Sequence, residues 1–302
     1  MEVVEKENFL PNANAKLLKQ NKSTSIVIFV KGFNNFFLDS VLERIQSKLK
    51  ENKEEANVIF LDESNNEIDE AIHTCQMNNP KGLIFIGGNL EYFRKNFDKI
   101  EVPSVLVCAT ASDLGFENLS SFATDDYAGG RAAMELLIKH NHKQIGILGG
   151  FESKEKGQVS SLRLKGALDI LKENHISFSY KKQYIQCRMT MENGKKAVQQ
   201  LLENCPDTTA VFAMSDTVAI GAVRGLYESG YKVRDDISVI GFDGIEITGY
   251  MSTRIATVSQ DIHTLAEKSV EDLLMRIHYP RKAVHEVVPF TIIEEESVGF
   301  AK

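Results

Sequence analysis

Short β-branched and aromatic runs alternate with longer stretches whose apolar positions recur every three to four residues, and this pattern extends from Ser25 to Ile293. Runs of three to six apolar residues without polar alternation predict strands buried on both faces, as in parallel sheets covered by helices. In the first half the predicted strands are Ser25–Val30, Val58–Leu61, Leu83–Ile86, Val105–Val107 and Phe122–Thr124. Helices are predicted over Leu38–Glu51, Glu67–Met77 and Leu90–Phe97.

A second series begins with a helix over Tyr127–His140, whose apolar positions are Met134, Leu137 and Ile138. Strands Gln144–Leu148, Tyr184–Cys187, Ala210–Ala213, Ser238–Gly241 and Ala256–Val258 then alternate with helices Ser161–Asn174, Glu192–Glu203 and Thr217–Ser229. Gly230 suits the C-cap of the last of these, and a final strand is expected over Val287–Ile293. The repeat predicts an α/β protein with two doubly wound parallel-sheet lobes. No Pro- or Gly-rich linker separates the halves, so direct crossovers and a hinged cleft are expected.

Composition narrows the function. A length of 302 residues with 43% hydrophobic and 25% charged residues fits two globular domains. The net charge of -7 argues against a broad nucleic-acid footprint on these residues. Cys75, Cys108, Cys187 and Cys205 form no CxxC pair, so no metal or redox motif is expected and a reducing cytoplasm is the default setting. No stretch has the apolar length of a secretion signal or membrane helix.

The motifs of most enzymes of this class are missing: there is no GxGxxG after the first strand, no GxxxxGK[ST], no GxSxG and no HExxH. Gly149-Gly150 reads as a turn rather than a phosphate loop. His140 and His142, two apart at a helix end, read as a surface terminus rather than a metal pair. No catalytic residue, cofactor or metal is therefore expected.

The residues that stand out lie just past strand ends, where such sheets place ligands. They are Asn34, Phe36 and Phe37 after the first strand, Asp125, Ser215 and Asp216, Asp243, and Gln260. Flat apolar surface combined with charged and amide groups suits a sugar or similar polyol, and Arg163 could supply a bidentate fork. Plainer roles compete. Asp125 and Asp216 could be helix N-caps, and at least one of Phe36 and Phe37 is expected in the core.

Three segments resemble the lactose and galactose repressor family: FATDDYAGGRAAMELLIKHNHKQIGILGG (122–150), SSLRLKGALDIL (160–171) and AVFAMSDTVAIGAVRGLYESGYKVRDDISVIGFDG (210–244). The resemblance implies a fold like the periplasmic sugar-binding proteins (type I), with three crossovers and a small effector in the cleft. It implies one lobe of residues 25–140 plus 261–285 and another of 141–260 plus 286–302, after a hinge segment of residues 1–24. The implied ligand contacts are Asn34, Phe36, Phe37, Asp125, Arg163, Met189, Ser215, Asp243 and Gln260. Ser215 and Met189 depart from the family's usual Asn and aromatic ring, which weakens the case for an ordinary sugar.

FLPNANAKLLKQNKSTSIVIFV (9–30) is similar to the family's hinge helix. Within it, Asn12, Ala15, Leu18 and Lys19 are implied DNA contacts, with Leu18 in the minor groove and Lys19 beside phosphate. The helix-turn-helix head, roughly 45 residues that precede this hinge in the family, is expected to be missing from the sequence as given. The implied partners are a sugar or phosphosugar effector, operator DNA for the full-length protein, and a second copy in a homodimer. A solute-binding protein of sugar transport is the alternative. Arg163→Ala is expected to abolish effector binding and leave the fold intact.

Overall fold

In a computed structural model, residues 25–150 and 159–302 are described. The hinge segment, with Asn12, Ala15, Leu18 and Lys19, lies outside the described residues. The first lobe opens with β1 (Ile26–Lys31), α1 (Phe36–Glu51), β2 (Ala56–Leu61), α2 (Glu67–Asn78), β3 (Gly82–Ile86), α3 (Leu90–Asn96), β4 (Ser104–Val107) and β5 (Leu119–Thr124). The chain then crosses to the second lobe, with α4 (Asp126–Lys139), β6 (Ile145–Leu148), α5 (Val159–Glu173), the single turn α6 (Tyr180–Gln183), β7 (Tyr184–Ile185) and α7 (Met191–Asn204). That lobe continues with β8 (Ala210–Ala213), α8 (Asp216–Glu228), β9 (Ser238–Asp243) and β10 (Ala256–Gln260). It returns for α9 (Ile262–His278) and β11 (His285–Val288), and crosses again into β12 (Phe290–Ile293).

Two six-stranded sheets result, ordered β11-β5-β4-β3-β1-β2 and β12-β10-β9-β8-β6-β7. Every pairing is parallel except β10 with β12. β1, β3, β4 and β5 are buried at every position because helices cover both faces, which is why their sequences carry no polar alternation. The two doubly wound lobes and their three crossovers are as the pattern and the resemblance implied.

The lobe boundaries move. The helix beginning at Asp126 was expected in the first lobe, but its Ala133, Met134 and Leu137 pack with Ile145, Ile147, Phe212 and Phe242 of the second. The first crossover is therefore at Asp125, not near residue 140. The expected strand Val287–Ile293 is two strands on different sheets, divided at Pro289. Proline has no N–H for a ladder and fits where pairing passes from one sheet to the other, so the third crossover lies at 289 rather than 285. β7 is only two residues long, shorter than Tyr184–Cys187. Helix α9, not singled out from the sequence, buries Leu265, Ala266, Val270 and Leu273 in the first lobe's core.

Polar residues cluster past the strand ends partly for a local reason. Asn35, Asn66, Asn89, Asp125, Thr190, Ser215 and Asp261 each accept a hydrogen bond from an N–H in the first turn of the following helix.

Candidate functional site

The strand ends of the two lobes face each other across a cavity of about 110 Å³. Lys31, Asn35, Phe37, Glu63 and Cys108 line it from the first lobe, and Ser160, Arg163, Met189, Ser215 and Asp243 from the second. Asn35 spends its Oδ1 on the backbone N–H groups of Phe37 and Leu38, which leaves its Nδ2 as the group a guest could use. Phe37 is buried and presents an apolar wall.

Arg163 is the centre of the second lobe's contribution. Its Nε donates to Asp126 Oδ1 at 2.7 Å, and its Nη1 donates to the carbonyl of Met214 and, at 3.5 Å, to Asp243 Oδ1. The guanidinium lies 3.6 Å above the Phe242 ring, a cation–π contact strengthened by exclusion of water. Its placement depends on close approach of α4 and α5: a Cβ on Gly130 would lie 2.2 Å from the Arg163 carbonyl oxygen, and one on Gly166 2.1 Å from that of Tyr127. Two glycines thus let the helices touch and carry the arginine into the cavity wall.

Asp243 ends β9 with φ of +119°, a region that disfavours residues with a Cβ. It accepts from Gln260 Nε2 at 2.9 Å as well as from Arg163. Burial pushes its carboxyl up to about 7, against the opposing pull of Arg163. Asp216, directly after Ser215, is raised by burial and by the charge of Asp243, and accepts from the N–H groups of Gly244 and Ile245 and the hydroxyl of Thr257. It fastens the turn that carries Asp243. Asp216 is neither cap nor cavity residue; Ser215 is both, capping α8 through Val218 N–H.

These raised carboxyls carry a signed pH dependence. Asp243 binds a proton more tightly folded than unfolded, so its contribution to stability is greatest below its ordinary value near 3.8 and declines as pH rises towards about 7. Asp243→Asn should flatten the fall in stability across that window, measured as urea midpoints from pH 4 to 8; an unchanged slope would refute the assignment.

Several expected residues sit elsewhere. Asn34 and Phe36 are exposed and outside the cavity lining, with Asn35 and Phe37 in their places. Asp125 is exposed and caps α4 through Ala128 N–H; Asp126 is the residue that meets Arg163. Asp125 lines a neighbouring cavity of about 350 Å³ beside the first crossover. Gln260 is one bond removed, behind Asp243. Arg163, Met189, Ser215, Phe37 and Asp243 do line the space. Asp126, Lys31, Asn35, Glu63, Cys108 and Ser160 were not singled out from the sequence.

His140 and His142 are buried rather than at a surface terminus. His142 bonds Thr209, Ser238 and the carbonyl of Gly299, and burial lowers its basicity. It ties the C-terminal segment to the second lobe. Gly149 and Gly150 follow β6 with φ of +118° and +89°, backbone that glycine favours. Among the described residues no cluster of metal-ligating side chains occurs, and no helix is long and apolar enough to cross a membrane.

Residues 134–298 match the family described as periplasmic binding protein-like domain. The regulator MalR of Clostridium butyricum is 31% identical over 303 residues, spanning 98% of this chain and 88% of that protein. The chain belongs to the LacI family of transcription regulators. The ribose operon repressor of Haemophilus influenzae, also similar, is 27% identical over 98% of this chain and 87% of its own length.

Solved LacI-family structures share the fold at lower identity. The lac repressor dimer bound to operator and the anti-inducer ONPF superposes with a TM-score of 0.79 at 22% identity, covering 96% of this chain and 99% of that one. A LacI family regulator from Enterococcus faecium with bound ribose gives 0.78 at 22% identity, covering 92% and 100%.

Proposed function

We propose that this chain senses a small polyol, a sugar or close derivative, in the cavity between its lobes and converts occupancy into a change in DNA affinity. The observation that carries the reading is convergence: Arg163, Met189, Ser215 and Asp243 of one lobe and Asn35 and Phe37 of the other surround a single space. A guest touching both lobes favours the arrangement that brings them together, and the preference must reach several kcal/mol to move the population strongly. Phe37 and Met189 offer apolar surface to a ring face; Arg163, Asp243 and Asn35 offer the polar groups that read hydroxyls. Gln260 and Asp126 hold those groups in place. Relatives similar to this chain are named as regulators or repressors, among them the ribose operon repressor.

The rest of the mechanism follows from symmetry. Lobe movement changes the spacing of two hinge segments in a homodimer, and Leu18 and Lys19 of each would meet the operator. Such a regulator works in the cytoplasm as a sensor rather than an enzyme, a reading supported by relatives named as regulators and repressors.

A thermal-shift screen of sugars, sugar phosphates and nucleobases tests the reading. A ligand at a hundred times its Kd should add about 2.7 kcal/mol of stability. Arg163→Lys keeps the charge but loses the planar fork, and should weaken that ligand by about tenfold or more. Undiminished affinity in this variant would refute the proposed pocket.

A further inference from the structure

Among the described residues two cations line the cavity, Lys31 and Arg163, and both are already paired. Lys31 Nζ lies 2.5 Å from Glu67 Oε2 and over the Tyr92 ring, while Arg163 is held by Asp126 and Asp243. Around the same space Asp243 and Glu63 present carboxylates. Among the described residues, the cavity wall and its immediate partners thus carry two cationic side chains, Lys31 and Arg163, and four carboxyl groups, Glu63, Glu67, Asp126 and Asp243, so neither cation is left over for an anionic guest.

Glu63 is the group in this set without a mate. It follows β2 at the cavity's edge, and its Oε2 is buried with no hydrogen-bond partner. Arg188, a cation from the opposite lobe that faces it, is engaged instead with Asp62 at 3.8 Å. Burial holds the Glu63 carboxyl above the usual range, partly offset by Arg188. A buried acceptor left unpaired lowers the stability of the empty protein, and a donor arriving from a guest removes that cost.

Granted the sensing role above, we infer that Glu63 determines specificity: its unpartnered oxygen takes a hydroxyl or ammonium donor from the effector, and with Asp243 it excludes phosphorylated and other anionic sugars. The cavity is therefore built for a neutral or amine-bearing ring. A phosphate would find Lys31 and Arg163 already paired with carboxylates, so the cost of stripping water from its charge would go uncompensated.

The test uses the whole chain and matched probes: ribose with ribose 5-phosphate, and glucose with glucosamine and glucose 6-phosphate, each titrated calorimetrically. In any pair that binds, the unphosphorylated or aminated member should bind about a hundredfold more tightly or better. Glu63→Gln should weaken that member about tenfold by removing a charge-assisted hydrogen bond, and should narrow its margin over the phosphate. Arg188→Gln should leave the preference intact. Without any ligand, Glu63→Gln should melt no lower than the parent chain. Tighter binding of a phosphorylated probe, equal loss in Arg188→Gln, or a lowered melting temperature of empty Glu63→Gln would each overturn the inference. A ligand weakened by Arg163→Lys but indifferent to Glu63→Gln removes the role of Glu63 and leaves the cavity reading standing; indifference to both removes that reading as well.

Discussion

Arg163→Ala should lower the melting temperature by roughly 10 °C, because it leaves two buried carboxylates facing each other with no cation between them. Asp126 and Asp243 are 4% exposed each, and the guanidinium is the charge that bridges them. Breaking a buried pair by deleting one partner costs about 3–5 kcal/mol, and each kcal/mol moves the midpoint of a domain this large by about 2–4 °C. The loss should be greatest at alkaline pH and smaller near pH 4, where Asp126 and Asp243 can take up protons. The variant is still expected to fold, but with a stability cost that a ligand role alone would not carry. From the sequence Arg163 was a ligand hook, whereas the structure makes it a cross-brace linking α4, β9 and the carbonyl of Met214. A midpoint within 2 °C of the parent, by differential scanning calorimetry, would show that the cluster is solvated and its charges unstrained.

What the sequence disclosed and what it withheld divide along a single physical line. Strand positions were legible because burial on both faces forces uninterrupted apolar runs, as in Ile26–Val30 and Leu83–Ile86. The residue types at each strand end were legible too, since capping and ligand binding both select Asn, Asp and Ser. What failed was phase. Asn34 was expected where Asn35 lines the cavity, Phe36 was put beside Phe37, and Asp125 was expected where Asp126 meets Arg163. Successive residues entering a helix are rotated by about 100°, so an uncertainty of one residue in the cap turns a cavity side chain out to solvent. Sequence periodicity fixes boundaries no better than that. Glu63 escaped notice for a different reason: it sits in a polar loop, DESNNE, where a carboxylate reads as ordinary surface. The first crossover was misplaced because α4 is amphipathic whichever sheet it covers. Its glycines, Gly129 and Gly130, were the available signal that it packs closely on another element.

Gly166→Ala should both destabilise the second lobe and uncouple it from its effector, because the methyl group has nowhere to go. Its Cβ would stand 2.1 Å from the Tyr127 carbonyl oxygen and 3.1 Å from the Arg131 nitrogen, both backbone atoms that no rotamer change can move. Helices α4 and α5 must therefore separate by about 1 Å or more to reach ordinary van der Waals contact. Overpacking of this kind costs about 1–3 kcal/mol and occasionally more. The separation acts directly on the site: Arg163 lies one turn earlier on α5 and Asp126 at the start of α4, so parting the helices lengthens their 2.7 Å hydrogen bond and withdraws the guanidinium from the cavity wall. The same substitution would stabilise an exposed helix with open space, since alanine exceeds glycine in helix propensity by about 1 kcal/mol. Two measurements decide between these effects: the urea midpoint of the empty protein, and calorimetric affinity for whichever sugar the parent chain binds. A lower midpoint with about tenfold weaker binding is expected. A raised midpoint with unchanged affinity would mean that α4 and α5 do not touch at this crossing, and that Arg163 is placed by something other than the fit of these two helices.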